Sequence, residues 1–344
     1  MAKAQLPGGN RDLLPALIRR ISAARGKQKL EALLRETRDR LHLGRAIRVT
    51  GNLPELENSV QGAIIDGHIS EQQVRDLVDE VEETGGQHIF LHTLTDSGRR
   101  RLTENRLSQA FNAPPQHVTA HYYGDEPVRQ TYFLTRHDKL VVKQLYTAEY
   151  WERNEEESQR GATRRVFVEE LQRRRAVNLL VVDPARGEAE TRIDRVTGTI
   201  NNNMVLEELE RFEHTLSAAV DVVADLGPVR LDFLALVQHR DGTFMAVDRA
   251  QDPSVAQLIS SRRHGMDGTD VRDHPKWMSG NEYVRDSMAI HWILDDERSV
   301  YTLISAVEFD VDGETVEHTK VYVSAKVTPE ELQYVLGRIR QFAR

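Results

Sequence analysis

Through residue 84 the apolar side chains return every three or four positions; beyond it they come in short runs or alternate. The first rhythm predicts amphipathic helices and the second predicts strands. Leu13, Leu14, Leu17, Ile18 and Ile21 form one helical stripe, with Pro15 in the first turn, where a missing N–H costs little, and Arg25–Gly26 at its end. A second helix is expected from Lys27 to Leu43, with Leu30, Leu33, Leu34 and Leu41 inward and Gly44 as a left-handed C-terminal cap. A third runs from Leu53 to Ile65, with Gly67 beyond its end. A fourth starts at Ser70, whose pairing with Gln73 fits a capping box, and carries Val74, Leu77, Val78 and Val81 up to Gly85–Gly86. Four such helices predict a compact bundle.

Gln87–Leu94 has strand character. Residues 96–116 are polar, rich in Arg and end in Pro114–Pro115, which suits a linker. Strands are expected over 117–123, 129–136, 139–146, 164–170 and 177–183, with the charged stretch 147–163 as a loop or short surface helix. Asn203 to Leu226 reads as a long helix. Val229–Val237 and Thr243–Val247 read as strands joined by a turn at His239–Gly242, residues 252–280 as loop, and 282–294 as a helix carrying Val284, Met288 and Trp292. Val300–Val311 and Val316–Val327 flank Asp312–Gly313, a dipeptide that tolerates positive φ and so favours a hairpin turn. Thr328–Pro329–Glu330–Glu331 then combines a capping box with proline at the first helical position. The expected fold is α+β: a helical domain over 1–95, a linker over 96–116, and a largely antiparallel sheet domain with helices over 117–344.

Charge divides the helical part. Residues 1–50 hold twelve Lys/Arg against four Asp/Glu, a net of +8; the whole chain is −8, so residues 51–344 carry −16. A positive segment on an acidic body meets either a polyanion or its own body. On the second helix Glu31 and Arg35, Arg35 and Asp39, and Glu36 and Arg40 stand four apart, where opposite charges satisfy each other. That leaves Arg19, Arg20, Arg25, Lys27, Lys29, Arg45 and Arg48 as candidate nucleic-acid-binding residues. The competing partner in cis is the fourth helix, with Asp76, Asp79, Glu80, Glu82 and Glu83.

The chain has no cysteine, which excludes disulfides, thiolate metal sites and a thiol nucleophile. Neither a signal-peptide core nor a membrane-length apolar run is present, so a cytoplasmic protein without membrane contact is expected. His88 and His92, like His117 and His121, stand four apart, but in strands that separation is about 13 Å, too far to share a metal. No Gly-rich phosphate loop, GxSxG or HExxH occurs. Asp183, Asp232 and Asp248 fall at expected strand positions. Asp232 and Asp248 facing each other across a hairpin would hold a divalent cation; as plain strand-end aspartates they would begin turns.

Two resemblances follow from these residues. Lys143, Glu169–Glu170–Leu171, Asp232 and Asp248 occur in an order similar to the tail of ATP-grasp ligases, which implies ATP and magnesium. Ala250 stands where that family has a metal-binding Asn, and the glycine loop is missing, so such a copy would be degenerate. The paired helices at Leu13–Ile21 and Leu30–Leu41, then Leu53–Ile65, Ile69–Ser70 with the helix over 70–84, Gln87–Leu91 and Thr131–Leu134 resemble the centromere protein N family. That resemblance implies a small pyrin-like helical domain before an antiparallel β domain, and DNA held by basic side chains, here Arg19, Arg20, Lys27 and Lys29. The expected function is a non-enzymatic binding protein that engages nucleic acid through the basic helices. A nucleotide- or metal-dependent enzyme and a protein-interaction scaffold are the alternatives.

Overall fold

The structure is a computed structural model that describes residues 13–23, 27–84, 86–114, 129–158, 165–194, 202–220, 225–238, 242–252, 255–260, 283–294, 298–311, 314–323 and 327–344. The strand expected over 117–123, the His117/His121 pair, Arg25 and the Asp312–Gly313 turn lie outside the described residues, as does the Arg45 side chain.

The four helices form where the pattern places them: α1 (Leu13–Ala23), α2 (Lys27–Arg40), α3 (Leu53–Ile65) and α4 (Glu71–Thr84). Their stripes meet in one core of Leu17, Ile18, Ile21, Leu30, Leu34, Leu56, Val60, Val74 and Val78, among others. Ser70 and Gln73 cap α4 reciprocally, Ser70 N–H donating to Gln73 Oε1 at 2.9 Å and Gln73 N–H to Ser70 Oγ at 3.2 Å. After α3, Gly67 is left-handed (φ 74°), and His68 N–H donates to Ala63 O while Gly67 N–H donates to Ile64 O. That is a Schellman end. The expected cap at Gly44 moves: His42 (φ 54°) takes the left-handed position after α2, because Leu43 N–H bonds back to Arg38 O, and Gly44 opens a 3₁₀ turn.

The rest builds one antiparallel sheet in the order β2-β3-β4-β5-β1-β11-β10-β9-β7-β8, with β6 also on β1. The strands are β1 (Gln87–Leu94), β2 (Arg129–Arg136), β3 (Lys139–Ser158), β4 (Arg165–Asp183), β5 (Glu188–Asp194), β6 (Leu226–Pro228), β7 (Gly242–Asp252), β8 (Val255–Ser260), β9 (Tyr283–Ile293), β10 (Ser299–Val311) and β11 (Glu314–Val323). Between them lie α5 (Asp96–Arg101), α6 (Glu104–Ala110), α7 (Asn202–Val220), α8 (Phe233–Gln238) and, at the end, α9 (Pro329–Arg340). The period-two alternation of β1 sorts the layers. Ile89 and Leu91 join α8 and α9 on one face, while Phe90 and Leu94 join Leu102, α6 and α7 on the other.

Several expectations change. β1, drawn with the helical domain, is central to the sheet and buried on both faces. The expected linker contains α5 and α6, with Leu102, Leu107 and Phe111 in the core and Arg101 forked onto the buried carboxylate of Asp225. Residues 147–158 continue β3, and 165–183 form one strand, because the two pair from Leu140↔Val182 to Ser158↔Arg165, with one register shift between Glu155 and Glu157. The helix expected over 282–294 is β9: Val284, Met288 and Trp292 are four apart, an even spacing that lies on one face of a strand as readily as on a helix. Residues 229–237 are not a strand but a bridge at Leu231 followed by α8. The closing hairpin pairs Val311↔Glu314, and Thr328 caps α9 with Glu331 as the pattern requires.

Candidate nucleic-acid interface

α4 is two-sided. Val74, Val78 and Val81 face the bundle, and the carboxylates of Asp79, Glu82 and Glu83 face the sheet. There β3 alternates: Val142 points toward α7, and Lys143 points at α4. The fully buried Glu82 receives Arg20 from α1 at 2.7 Å, Arg175 from β4 at 2.9 Å and Lys143 at 3.0 Å. Lys143 also reaches Asp79 at 2.9 Å and Glu83 at 3.2 Å. Arg136, at the end of β2, pairs with Asp79 at 2.6 Å and Glu83 at 3.4 Å. Arg192 of β5 donates to the Glu83 carbonyl at 2.6 Å, and Lys29 on α2 closes onto Glu80.

Electrostatics follow the geometry. Burial alone would raise the Glu82 pKa, but the charges of Arg175, Lys143 and Arg20 hold it well below the ordinary carboxylate value. Asp79 is lowered too, burial being outweighed by Lys143 and Arg136. Burial would strip the proton from Lys143, yet Glu82, Glu83 and Asp79 more than reverse that and hold it above the usual lysine range. All three groups are therefore charged at neutral pH.

This seam absorbs much of the positive segment. Residues 51–84 carry nine Asp/Glu against Arg75 alone, a net of −8, which cancels the +8 of residues 1–50. Of the seven candidates, Arg20 is buried on Glu82, Lys29 pairs with Glu80, Arg48 pairs with Glu55 at 2.8 Å, and Lys27 pairs with Glu31 at 3.6 Å. Arg19 is exposed and donates to the Pro15 carbonyl. The expected ladder on α2 does not form: Lys27 takes Glu31, and Arg38 takes Asp39 at 2.7 Å. Arg35 is left exposed between them. Among the described residues, Arg19, Arg35 and Arg40 have no carboxylate within ion-pair distance. The acidic face of α4 was visible in the sequence, but its partners Arg136, Lys143 and Arg175 were not.

The other candidates separate. Asp232 does not face Asp248: it starts α8, accepting the Ala235 N–H at 3.0 Å, and pairs with Arg344 at 3.2 Å. Asp248 lies in β7 opposite Leu258. Lys143, the lysine of the ATP-grasp likeness, is covered by three carboxylates of α4. Among the described residues no group of three or more His, Asp or Glu is placed to hold a metal. His92 is buried in β1 with Nε2 3.0 Å from Thr191 Oγ1; burial, then the charges of His318 and Arg340, push its pKa down to about 3. A second buried polar group lies under α7, where Glu208 accepts from Arg129 at 3.0 Å and from Asn178 at 2.8 Å, with Arg129 over the Tyr146 ring.

No protein-family model matches the chain, and no curated protein matches it. Among the described residues no helix is long and apolar enough to cross a membrane.

Proposed function

We propose that this is a non-enzymatic binding protein that engages nucleic acid through the outer faces of α1 and α2. The supporting observation is that Arg19, Arg35 and Arg40 stay exposed, without a carboxylate partner among the described residues, on a bundle whose other cations are largely neutralised. Guanidinium groups in that state exchange small counterions for backbone phosphates, and the released ions drive sequence-independent association. The resemblance to the centromere protein N family points to the same class of ligand. Of the seven candidates Arg19 stays in this set, Arg20, Lys27, Lys29 and Arg48 already have partners in cis, and Arg25 and the Arg45 side chain lie outside the described residues. The nucleotide- or metal-dependent alternative lacks comparable support, since Asp232 begins a helix and pairs with Arg344.

Anisotropy of a labelled duplex, titrated across salt from about 20 to 200 mM, tests this reading. Three phosphate contacts give a slope of log K against log salt of about −3. The triple variant Arg19→Glu, Arg35→Glu, Arg40→Glu should abolish binding. Absence of binding at the lowest salt, or full retention by the triple variant, refutes the proposal.

A further inference from the structure

The joint between bundle and sheet is made of charge. Among the described residues the bundle's apolar cluster stays within residues 16–81, and every apolar cluster of the sheet begins at or beyond residue 89. No apolar cluster spans the two. What crosses is the set of ion pairs from Asp79, Glu82 and Glu83 to Arg136, Lys143 and Arg175, together with the Arg192 guanidinium on the Glu83 carbonyl. Lys143 and Arg175 are each about 5% exposed, so these are built contacts and not loose surface pairs. The rim is wetter, with Arg136 and Asp79 about a third exposed. A joint of this kind gains orientation from its charges, but each buried ion loses hydration, so its net hold is far weaker than an apolar interface of equal extent.

Arg136, Lys143 and Arg175 sit on neighbouring strands and send their charges to one face. α4 presents three carboxylates to them, as a run of phosphates would. We infer that α4 is an internal substitute for a polyanion, and that Arg136, Lys143 and Arg175 form a latent nucleic-acid-binding patch uncovered when the bundle lifts from the sheet. The ligand class rests on the function proposed above; the patch itself rests on the seam. The bundle is thus a lid that competes with the ligand for the same cations, and ligand capture at the patch and docking of α4 exclude each other.

The test uses the full chain. Asp79→Asn with Glu83→Gln removes the rim competitors, frees Arg136, takes two of the three carboxylates from Lys143, and leaves Glu82 with Arg20, Arg175 and Lys143. Asp66→Asn with Glu104→Gln, both exposed and outside the seam, makes the same change in net charge and serves as the control. Hydrogen exchange of α4 and β3 amides reads the joint, and anisotropy of a labelled single-stranded oligonucleotide reads the patch. The expected result is at least about tenfold faster exchange in α4, about tenfold tighter binding than the control, and a salt slope steeper by about 2. Adding Lys143→Gln should remove the gain. Faster exchange without a gain in affinity overturns the inference, as does unchanged exchange, which would show that these pairs do not hold the joint. The two proposals fail separately. Wild-type binding lost in the Arg19, Arg35, Arg40 variant belongs to the outer face; a gain confined to the Asp79, Glu83 variant belongs to the patch.

Discussion

The inside of the bundle and the seam beside it share one helix and use opposite chemistry. On one side of α4, Val74, Val78 and Val81 disappear into an apolar core. On the other, Glu82 disappears just as completely, but with three cations around it. Burial of the valines lowers the free energy by removing apolar surface from water, whatever the pH and nearly whatever the salt. Burial of Glu82 is tolerable only while its partners are present and charged. Equal burial therefore does not mean equal tenacity: the core holds the module together, and the seam sets how the module sits.

The largest expected effect tests the seam. Glu82→Gln removes the carboxylate that Arg20, Arg175 and Lys143 share in a dry site and should cost about 3–5 kcal/mol in chemical denaturation. A loss below about 1 kcal/mol would mean that water already reaches the site. Leu34→Ala, in the bundle core and fully buried, should cost about 2–5 kcal/mol by transfer plus cavity. Its cost should not change with salt, and salt dependence equal to that of Glu82→Gln would erase the contrast.

Acid separates two other regions. His92 and His318 lie in the sheet with rings 5.9 Å apart, near Arg340 and Arg230, and their pKa values are pushed down to about 3 and about 4, chiefly by burial. A depressed folded value means stability that is complete above the unfolded pKa of 6.5 and is lost as pH falls through the folded values. Asp79 and Glu82 are also depressed, but from 3.8 and 4.5, so the seam starts to weaken only below those values. Stability should therefore decline first between pH 6.5 and 4 through the histidines. His92→Gln should flatten that limb of a stability-versus-pH curve and leave the more acidic limb alone.

On α7, burial and then the charge of Glu210 push Glu213 up to about 7. Its raised value means stability present below 4.5 and lost as pH rises to about 7, so Glu213→Gln should stabilise by about 1–2 kcal/mol at alkaline pH and by nothing in acid. The smallest effect belongs to a helix end. Thr328→Ala removes the oxygen that accepts the Glu331 N–H at 3.2 Å and should cost about 1 kcal/mol at any salt.

The helices of the bundle and the closing helix are readable because each depends on neighbours a few positions away: the Leu and Val stripes, the Ser70–Gln73 box of α4, the Thr328–Glu331 box of α9, the glycine after α3. The sheet was read less well for a definite reason. Val284, Met288 and Trp292 fit both periods, and the charged run 147–158 carries no apolar alternation to announce β3, which exists there because β4 lies beside it. Val229–Val237 looked like a strand, but Asp232 accepts the Ala235 N–H and turns the chain into α8. For the candidate site, the acidic face of α4 and the positive segment before it were both visible, and their mutual cancellation was one of two open outcomes.

The order of residues alone therefore established the four helices, the closing hairpin with its helix, and the segregation of opposite charges, since periodicity, capping and composition act over a few positions. Which cations remain available was decided by folding. Arg20 meets Glu82 across 62 positions, and Arg175 meets the same carboxylate across 93. No local rule couples residues so far apart; only the packing of α1 and of β4 against α4 brings those charges within reach of one another.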